Sequence, residues 1–524
     1  MTATALLLAL LMAAGDETKP AAWHDPRAAF AIAAEDAAAL GPSAQFVRYV
    51  FNETRDPDAV RWHVYTVNEC VADIRNPAVV RPTLLAGGLV IRWDLRDLAP
   101  RTGADGSADV FRLMGVWDSI FDASLSVRLL EPIRIRIATP PYVASDGKTY
   151  RFKIIERDAT TSDLFEPFGS RLQAVTLSNT PLLSLAEFQR AALQTLDGGK
   201  YYDLLNLPAT SEELLALFGA DRAAAERLRS DIKAVTVVSG VTHSPRRIII
   251  IPGAASRPSD NQGLVWITED FALATIAAGN DPARNLHGRA HDASEIIIER
   301  PNGGHVYYLA DGQGRRQDAA PDNIADDDHF RDSRLQPAKS CIVCHAINQE
   351  RGLRSFAKDV DAALRGPLDN FGERGVAIDQ AFDQTMRTVG QYRWNPRKMV
   401  DRTRDDYSDF CIRCTDTMQP EQLGDLTREF FVRYWEEPVD ARQALAELGV
   451  DPPSDVDAAA QLLAKRCPPL PAEILAGVRP EDIYVATLLD GRAITRANFL
   501  QVVLELRRRL ALADGGNHVA NPGG

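Results

Sequence analysis

The sequence lacks the signatures of several common enzyme and nucleic-acid-binding classes. It contains no glycine-rich phosphate loop, no Gly-x-Ser-x-Gly nucleophile elbow and no recognisable Ser/His/Asp arrangement. Positive charge is also in the minority, because 59 Lys and Arg face 72 Asp and Glu and leave a formal net charge of -13. Phosphate binding needs clustered cations, so nucleic acid is not expected as a partner.

Long apolar runs are equally scarce. Apart from the N-terminus, no window reaches the length that an apolar helix needs to cross a bilayer. The apolar stretch Ala5–Ala14 ends in small residues and is followed by Asp16, which is typical of a secretory signal peptide over residues 1–15. No Lys or Arg precedes this stretch, and an ordinary N-terminal helix is the alternative. We expect an exported, periplasmic or otherwise extracytoplasmic protein with no membrane span beyond a possible uncleaved leader.

The composition is that of a chain with a sizeable core. Hydrophobic residues make up 45% and charged residues 25% of the 524 positions, which excludes a disordered or collagen-like chain. A domain size of about 150 residues suggests three or four domains, and two large ones would also fit.

The order of strand-like and helical patterns predicts an α+β fold. After the leader we expect a mixed α+β body of unknown role over residues 16–330 and a haem c-binding region over 331–436. A helical C-terminal region over 437–511 and a disordered tail over 512–524 complete the chain.

The strongest local pattern is a β-hairpin. Two β-rich runs, Glu295–Arg300 and His305–Ala310, flank the turn sequence Pro-Asn-Gly-Gly. A polar loop or linker is predicted over residues 311–337. Its acidic run, Asp326–Asp328, is expected to be a solvated loop.

One motif indicates specific chemistry. Cys341, Cys344 and His345 form Cys-x-x-Cys-His, and on a helix these three positions share one face. Two thiols at this spacing add across the two vinyl groups of a haem, and the adjacent imidazole becomes the proximal iron ligand. We therefore predict one covalent haem c, with His345 as a metal ligand.

The segments that follow the motif resemble small helical c-type cytochromes. Gly366-Pro367-Leu368 and Phe371-Gly372-Glu373-Arg374 are similar to a stretch of that family, although the spacing differs and the gap after His345 is longer. The resemblance implies that the Pro367 carbonyl accepts a hydrogen bond from His345. It also implies that Met418, in a loop before a helix over Glu421–Trp435, is the sixth ligand. The rivals for the sixth position are Met386, Met399 and His329.

A broader resemblance covers most of residues 45–500. Several short sequence segments are similar to large exported mono-haem c-type cytochrome-like proteins of planctomycete type. This resemblance supports haem binding and export and does not imply a substrate. The segments include Tyr201–Leu204, Ser239–Arg247, Val265–Phe271, the hairpin with Leu309, Gly312 and Arg316, Glu437–Gly449 and Gly491–Phe499.

The remaining cysteines allow three interpretations. Cys70, Cys411, Cys414 and Cys467 are four thiols that an oxidising compartment would join as disulfides, in a pairing that the sequence does not define. Cys411 and Cys414 repeat the Cys-x-x-Cys spacing without a histidine, which gives a second haem site as another option. The third is a zinc site made of Cys341, Cys344, Cys411 and Cys414.

Three functional hypotheses follow. The first, which we favour over an enzyme, is an electron-transfer protein with an unknown redox partner. The second is a haem enzyme, for example peroxidase-like, with an open distal site. The third is a binding protein stapled by zinc through the four cysteines of the two Cys-x-x-Cys motifs.

Overall fold

A computed structural model shows a mixed α+β architecture, as the sequence predicts. It describes residues 26–52, 57–99, 107–128, 142–143, 149–150, 182–228, 232–236, 246–253, 263–282, 290–347, 376–378, 396–432, 438–447, 452–466 and 480–495, with positions 242, 436, 450, 498, 499, 502 and 506. The predicted leader and tail, Pro367, Met386 and Cys467 lie outside these ranges.

Helices and strands alternate along the described ranges of the chain. Their bounds are α1 Pro26–Leu40, α2 Pro57–Cys70, α3 Leu95–Leu98, α4 Ser107–Arg128, α5 Leu185–Leu193, α6 Tyr201–Leu205, α7 Ser211–Leu217, α8 Arg222–Leu228, α9 Leu273–Ala277, α10 Lys339–Ile347, α11 Pro396–Thr415, α12 Pro420–Phe431, α13 Ala441–Glu447, α14 Val456–Arg466 and α15 Pro480–Leu489. None of them is both long and apolar enough to cross a membrane.

The strands form three sheets. Their bounds are β1 Val47–Phe51, β2 Thr83–Leu85, β3 Val90–Asp94, β4 Tyr142–Val143, β5 Thr149–Tyr150, β6 Leu182–Ser184, β7 Ile232–Thr236, β8 Arg246–Pro252, β9 Leu264–Asp270, β10 Ala293–Glu299, β11 His305–Asp311, β12 Arg316–Gln317 and β13 Val376–Ile378. The largest sheet is antiparallel, in the order β12-β11-β10-β9-β8-β7-β13. A smaller sheet has the order β2-β3-β1-β6, and β4 pairs with β5.

The predicted hairpin is confirmed as β10 and β11. The strands pair antiparallel, with Glu299 opposite His305 and Glu295 opposite Leu309. Every residue of β10 is buried, including its three polar side chains Ser294, Glu295 and Glu299. A buried carboxylate needs partners to offset its desolvation, so Glu295 and Glu299 are expected to have hydrogen-bond donors or cations beside them.

The hairpin turn packs closely against α11. Gly303 has a positive φ of 92°, and a Cβ there would lie 2.6 Å from the Asp406 carbonyl oxygen. Gly279 also has a positive φ, but a Cβ there would meet nothing within 4 Å. Of these two glycines, Gly303 alone combines backbone strain with a collision against another backbone segment.

We expect Gly303→Ala to be more destabilising than Gly279→Ala. Both alanines adopt an unfavourable left-handed conformation, but the first also displaces α11 and should cost about 1–3 kcal/mol more. Chemical denaturation of the two variants measures the difference, and equal losses would show that the turn does not press on α11.

The main core does not stop at the predicted boundary between residues 330 and 331. Buried side chains of α2, the large sheet, α10, α11 and α12 belong to one continuous core, which includes Ile342, Phe410 and Phe431. Residues from Val439 to Leu506 form a separate core. The helices of the predicted haem region are thus an integral layer of the α+β body.

The polar segment over 311–337 is a packed loop. Ile324 and Leu335 are buried in a small core with Leu309. The expectation that Asp326–Asp328 is a solvated run is wrong at its centre, because Asp327 is fully buried. Its carboxylate pairs with His329, which offsets the cost of burial.

Candidate functional site

Helix α10 presents the Cys-x-x-Cys-His residues on one face. Cys341, Cys344 and His345 lie at positions i, i+3 and i+4 of this helix, as the spacing predicts. Ile342 and Val343 point the other way and are fully buried in the main core. Ile342 and Val343 anchor the helix in the core, while Cys344 and His345 remain partly exposed.

The start of α10 is fixed by Lys339. Its side chain is buried, and its ammonium lies 4.2 Å from the centre of the Phe330 ring and 5.7 Å from that of Phe431. Asp332 pairs with it at 3.3 Å. A buried lysine held by a carboxylate and two rings ties α10 to α12 and to the preceding loop.

Cys341 faces a carboxylate on the large sheet. Its Sγ donates to Oε1 of Glu295 across 3.2 Å, and the cysteine is only 2% exposed. Nε2 of His345 lies 3.7 Å from the same oxygen. One carboxylate oxygen on β10 therefore meets both the first thiol and the imidazole of the motif.

Arg246 holds this carboxylate in place. From β8 it reaches past β9 and donates to Oε2 of Glu295 across 3.0 Å, and its Nε donates to Asp270 across 2.6 Å. Burial opposes the ionised form of Glu295, but His345 and Arg246 outweigh it and hold the pKa of Glu295 well below its usual range. Glu295 is thus a fixed negative charge beneath α10.

Cys344 faces a second carboxylate–imidazole pair. Its Sγ lies 3.9 Å from Nδ1 of His329, and that nitrogen lies 2.9 Å from Oδ1 of Asp327. The hydrogen bond with Asp327 raises the pKa of His329. Oδ2 of Asp327 is buried and makes no hydrogen bond to the described residues.

These three residues could hold a metal ion. Ligand atoms of Asp327, His329 and Cys344 lie within 4.8 Å of one another, and no other such group of three or more occurs among the residues that the structure describes. One oxygen, one nitrogen and one sulfur are a plausible partial set for zinc.

Burial and nearby carboxylates favour the neutral form of both motif thiols. Burial raises the pKa of the Cys341 thiol far above its usual value, and the charge of Glu295 adds to this effect. Burial also raises the pKa of Cys344, with a further contribution from Asp327. The thiolate forms that metals prefer are therefore disfavoured at both positions.

A polar layer lies behind the motif. The ring of Tyr307 stacks on that of His345, with centroids 6.3 Å apart, and its hydroxyl lies 3.4 Å from Nδ1 of His305. His305 in turn stacks on Tyr407 at 4.3 Å. Burial, followed by the charges of His345 and Arg300, lowers the pKa of His305 to about 3, so this imidazole is neutral.

Glu69 lies next to His305 in this polar layer. Both of its carboxylate oxygens accept from the backbone N–H of His305, each at 3.1 Å. Burial raises the pKa of Glu69 to about 8, although Arg300 and the hydrogen bond from His305 act against it. A carboxyl that is protonated in the folded chain makes folding favourable at low pH.

This raised pKa predicts a pH-dependent stability. The folded value of about 8 lies above the ordinary 4.5, so the contribution of Glu69 is full below about pH 4.5 and is lost as the pH rises to about 8. We expect the wild type to lose stability relative to Glu69→Gln over this window. Urea unfolding of both proteins at pH 5 and pH 8 measures the change, and a pH-independent difference would contradict it.

The remaining cysteines do not join the motif. Cys70 ends α2, while Cys411 and Cys414 lie near the end of α11, and all three are buried free thiols. The disulfides expected among these three are therefore not formed. The four-thiolate zinc site is also wrong, since Cys341, Cys344, Cys411 and Cys414 do not gather within ligand distance.

Two further predicted residues have different outcomes. Met418 is 4% exposed in the loop between α11 and α12, where its backbone N–H donates to Thr415 across 2.9 Å. It lies in the main core, and its role as an iron ligand stays a prediction. Pro367 lies outside the described residues. The helix predicted after Met418 is confirmed as α12.

Sequence reasoning missed the carboxylates of this site. Glu295 was part of a recognised strand, and Asp327 was part of a run expected to face solvent. The pattern Glu-Ile-Ile-Ile-Glu in β10 was the available signal, because a charged residue inside a fully buried strand must have a partner.

The residue types suit covalent haem attachment, but the position of Cys341 in the folded chain does not, because this cysteine is only 2% exposed. Two free thiols and one imidazole share a helical face, Cys344 is partly exposed, and the His345 side chain is 24% exposed. This is the set that the two thioether bonds and one axial ligand require.

No known protein-family model matches the chain, and searches of curated proteins and of solved structures likewise found no match. The assignment of function therefore depends on the chemistry of the site itself.

Proposed function

We propose that the protein is an exported mono-haem c-type cytochrome-like protein that transfers electrons to a partner protein. The observation that carries this proposal is the arrangement of Cys341, Cys344 and His345 on one face of α10 as free thiols and an imidazole. Each thiol would add across one vinyl group, so that a C–S bond forms and the thiol hydrogen moves to the neighbouring vinyl carbon. His345 would ligate the iron.

The bound haem would supply a one-electron Fe(III)/Fe(II) couple. The residues of the chain would set its surroundings. Arg246 and Glu295 fix charge beneath α10, and Tyr307 packs against the His345 ring. The hydrophobic anchor of α10 in the main core keeps these groups in position, which is the protein's contribution to a redox site.

The direct test is expression for export in a host that has cytochrome c maturation. One covalent haem per chain, measured as the pyridine haemochrome of the purified protein, supports the proposal. A low-spin oxidised spectrum with a far-red charge-transfer band would indicate methionine ligation and favour Met418. A high-spin spectrum would favour a haem enzyme with an open site, and a colourless protein would overturn the haem assignment.

A second candidate function is a mononuclear metal site. Asp327, His329 and Cys344 lie within ligand distance, and the buried Oδ2 of Asp327 has no hydrogen-bond partner among the described residues. Metal analysis of haem-free protein tests it, with Asp327→Asn as the variant and Asp332→Asn as the control. Stoichiometric zinc that only the first variant loses would support it, whereas metal-free protein would exclude it.

A further inference from the structure

We infer that Asp328 closes the metal site of the second candidate function as its fourth ligand, which makes the site a structural zinc site. The inference rests on that second candidate function, because it completes the ligand set of the same site. Its basis is the position of the Asp328 carboxylate beside the ring nitrogen of His329 that the other candidate ligands surround.

The candidate ligands gather around Nδ1 of His329. This nitrogen lies 2.9 Å from Oδ1 of Asp327, 3.5 Å from Oδ1 of Asp328 and 3.9 Å from Sγ of Cys344. Zinc with its usual bond lengths and tetrahedral angles separates oxygen from nitrogen ligands by about 3.3 Å and nitrogen from sulfur ligands by about 3.6 Å. The observed separations lie on either side of these values, so a metal ion would need only small movements of the side chains.

Asp327 provides an oxygen that the folded chain leaves unused. Its side chain is fully buried, and its Oδ1 accepts from the backbone N–H of His329 across 3.0 Å. Its Oδ2 is buried and has no hydrogen-bond partner among the described residues. A buried carboxylate oxygen without a donor is costly, and a bound cation would remove that cost.

Asp328 differs from Asp327 in its freedom to move. Its side chain is 88% exposed, so it can turn toward a metal ion without disturbing the packed core. A set of four protein ligands is typical of structural zinc sites, whereas catalytic sites leave one position to water or substrate. The metal ion would join the loop over residues 311–337 to α10 through Cys344.

The charges of the site suit a divalent cation. In the metal-free chain, burial raises the pKa of the Cys344 thiol, and neighbouring carboxylates, first that of Asp327, add to this effect. A bound metal ion reverses the effect, because it deprotonates the coordinating thiol and the carboxylates then balance its charge. Arg428 on α12 acts on His329 with positive charge and offsets part of this balance.

The first test is zinc affinity in the full-length chain purified without haem. We expect Asp328→Asn to weaken Zn²⁺ binding by at least about tenfold, measured by competition with a chromophoric chelator. Asp326→Asn is the matched control, because it removes an exposed carboxylate from the same acidic run. It should keep the wild-type affinity.

The second test uses Co²⁺ to show whether the fourth position is closed. A sulfur-to-cobalt charge-transfer band that Cys344→Ser abolishes would identify the thiolate ligand. Added thiocyanate should leave the visible spectrum of the wild type unchanged, because four protein ligands fill the coordination shell. In Asp328→Asn it should bind at the vacated position and shift the spectrum.

The outcomes separate the inference from the function on which it rests. If the wild type binds neither metal stoichiometrically, the second candidate function fails and the inference fails with it. If metal binds through Cys344 but Asp328→Asn keeps the wild-type affinity, loses no more than Asp326→Asn, or thiocyanate shifts the wild-type spectrum, the three-ligand site stands and the inference is overturned. Weaker binding and a thiocyanate response that are confined to Asp328→Asn establish Asp328 as the fourth ligand.

Discussion

Replacement of both motif cysteines, Cys341→Ala with Cys344→Ala, is expected to reduce covalently bound haem to background. The two thioether bonds need these thiols, and no other cysteine lies next to a histidine in the Cys-x-x-Cys-His order. The readout is the pyridine haemochrome of protein purified under denaturing conditions, which detects only covalent haem.

The second Cys-x-x-Cys pair offers a matched control. Cys411→Ala with Cys414→Ala removes the same number of thiols from another helix that packs in the main core. We expect this variant to retain one haem per chain. Equal haem loss in both double variants would show that the effect comes from misfolding, and retention in the Cys341/Cys344 variant would refute attachment at α10.

The largest effect on stability is expected at Arg300. This guanidinium follows β10 and is 1% exposed. It donates to two backbone carbonyls in the last turn of α2, those of Asn68 at 2.6 Å and Glu69 at 2.8 Å. It also donates to two carbonyls just beyond the helix, those of Ala72 at 2.8 Å and Asp73 at 2.9 Å. The carbonyls at the end of a helix have no partners within it, so Arg300 caps α2 from another part of the chain.

We expect Arg300→Met to lower the free energy of unfolding by about 3–5 kcal/mol, the range for removing one partner of a buried charged network. Arg300→Lys should recover only part of this loss, because an ammonium lacks the planar fork of donors. Arg315→Met is the control: that side chain is 70% exposed in its pairing with Asp311, and an exposed pair contributes less than about 1 kcal/mol.

Denaturant titrations at constant pH measure the free energy of unfolding of each variant. A loss at Arg300 no larger than that at Arg315 would contradict the capping role. Circular dichroism of the folded variants ensures that the comparison is made between native states.

The local elements were predictable because short-range patterns determine them. The hairpin β10–β11 follows from two β-rich runs around a Pro-Asn-Gly-Gly turn. The face shared by Cys341, Cys344 and His345 also follows from helical geometry alone.

The partners of the site were not predictable in the same way. Glu295 meets His345 only because β10 and α10 pack against each other, and no periodicity in either segment encodes that contact. The pairing of Asp327 with His329 is local, but composition favoured a solvated run, and burial of the central carboxylate depended on tertiary packing. The expected disulfides failed for a similar reason: redox compartment indicates whether thiols can pair, while the fold determines whether they meet.

The burial of Cys341 imposes an order on the assembly of this protein. Its sulfur is enclosed by the sheet and by the main core, so a large reactant cannot reach it once α10 has docked. Docking also involves α12, which lies later in the chain and joins α10 through Lys339 and Phe431. The period between the emergence of α10 and the folding of α12 is therefore the time when the first thiol is open to chemistry, and afterwards access requires local unfolding.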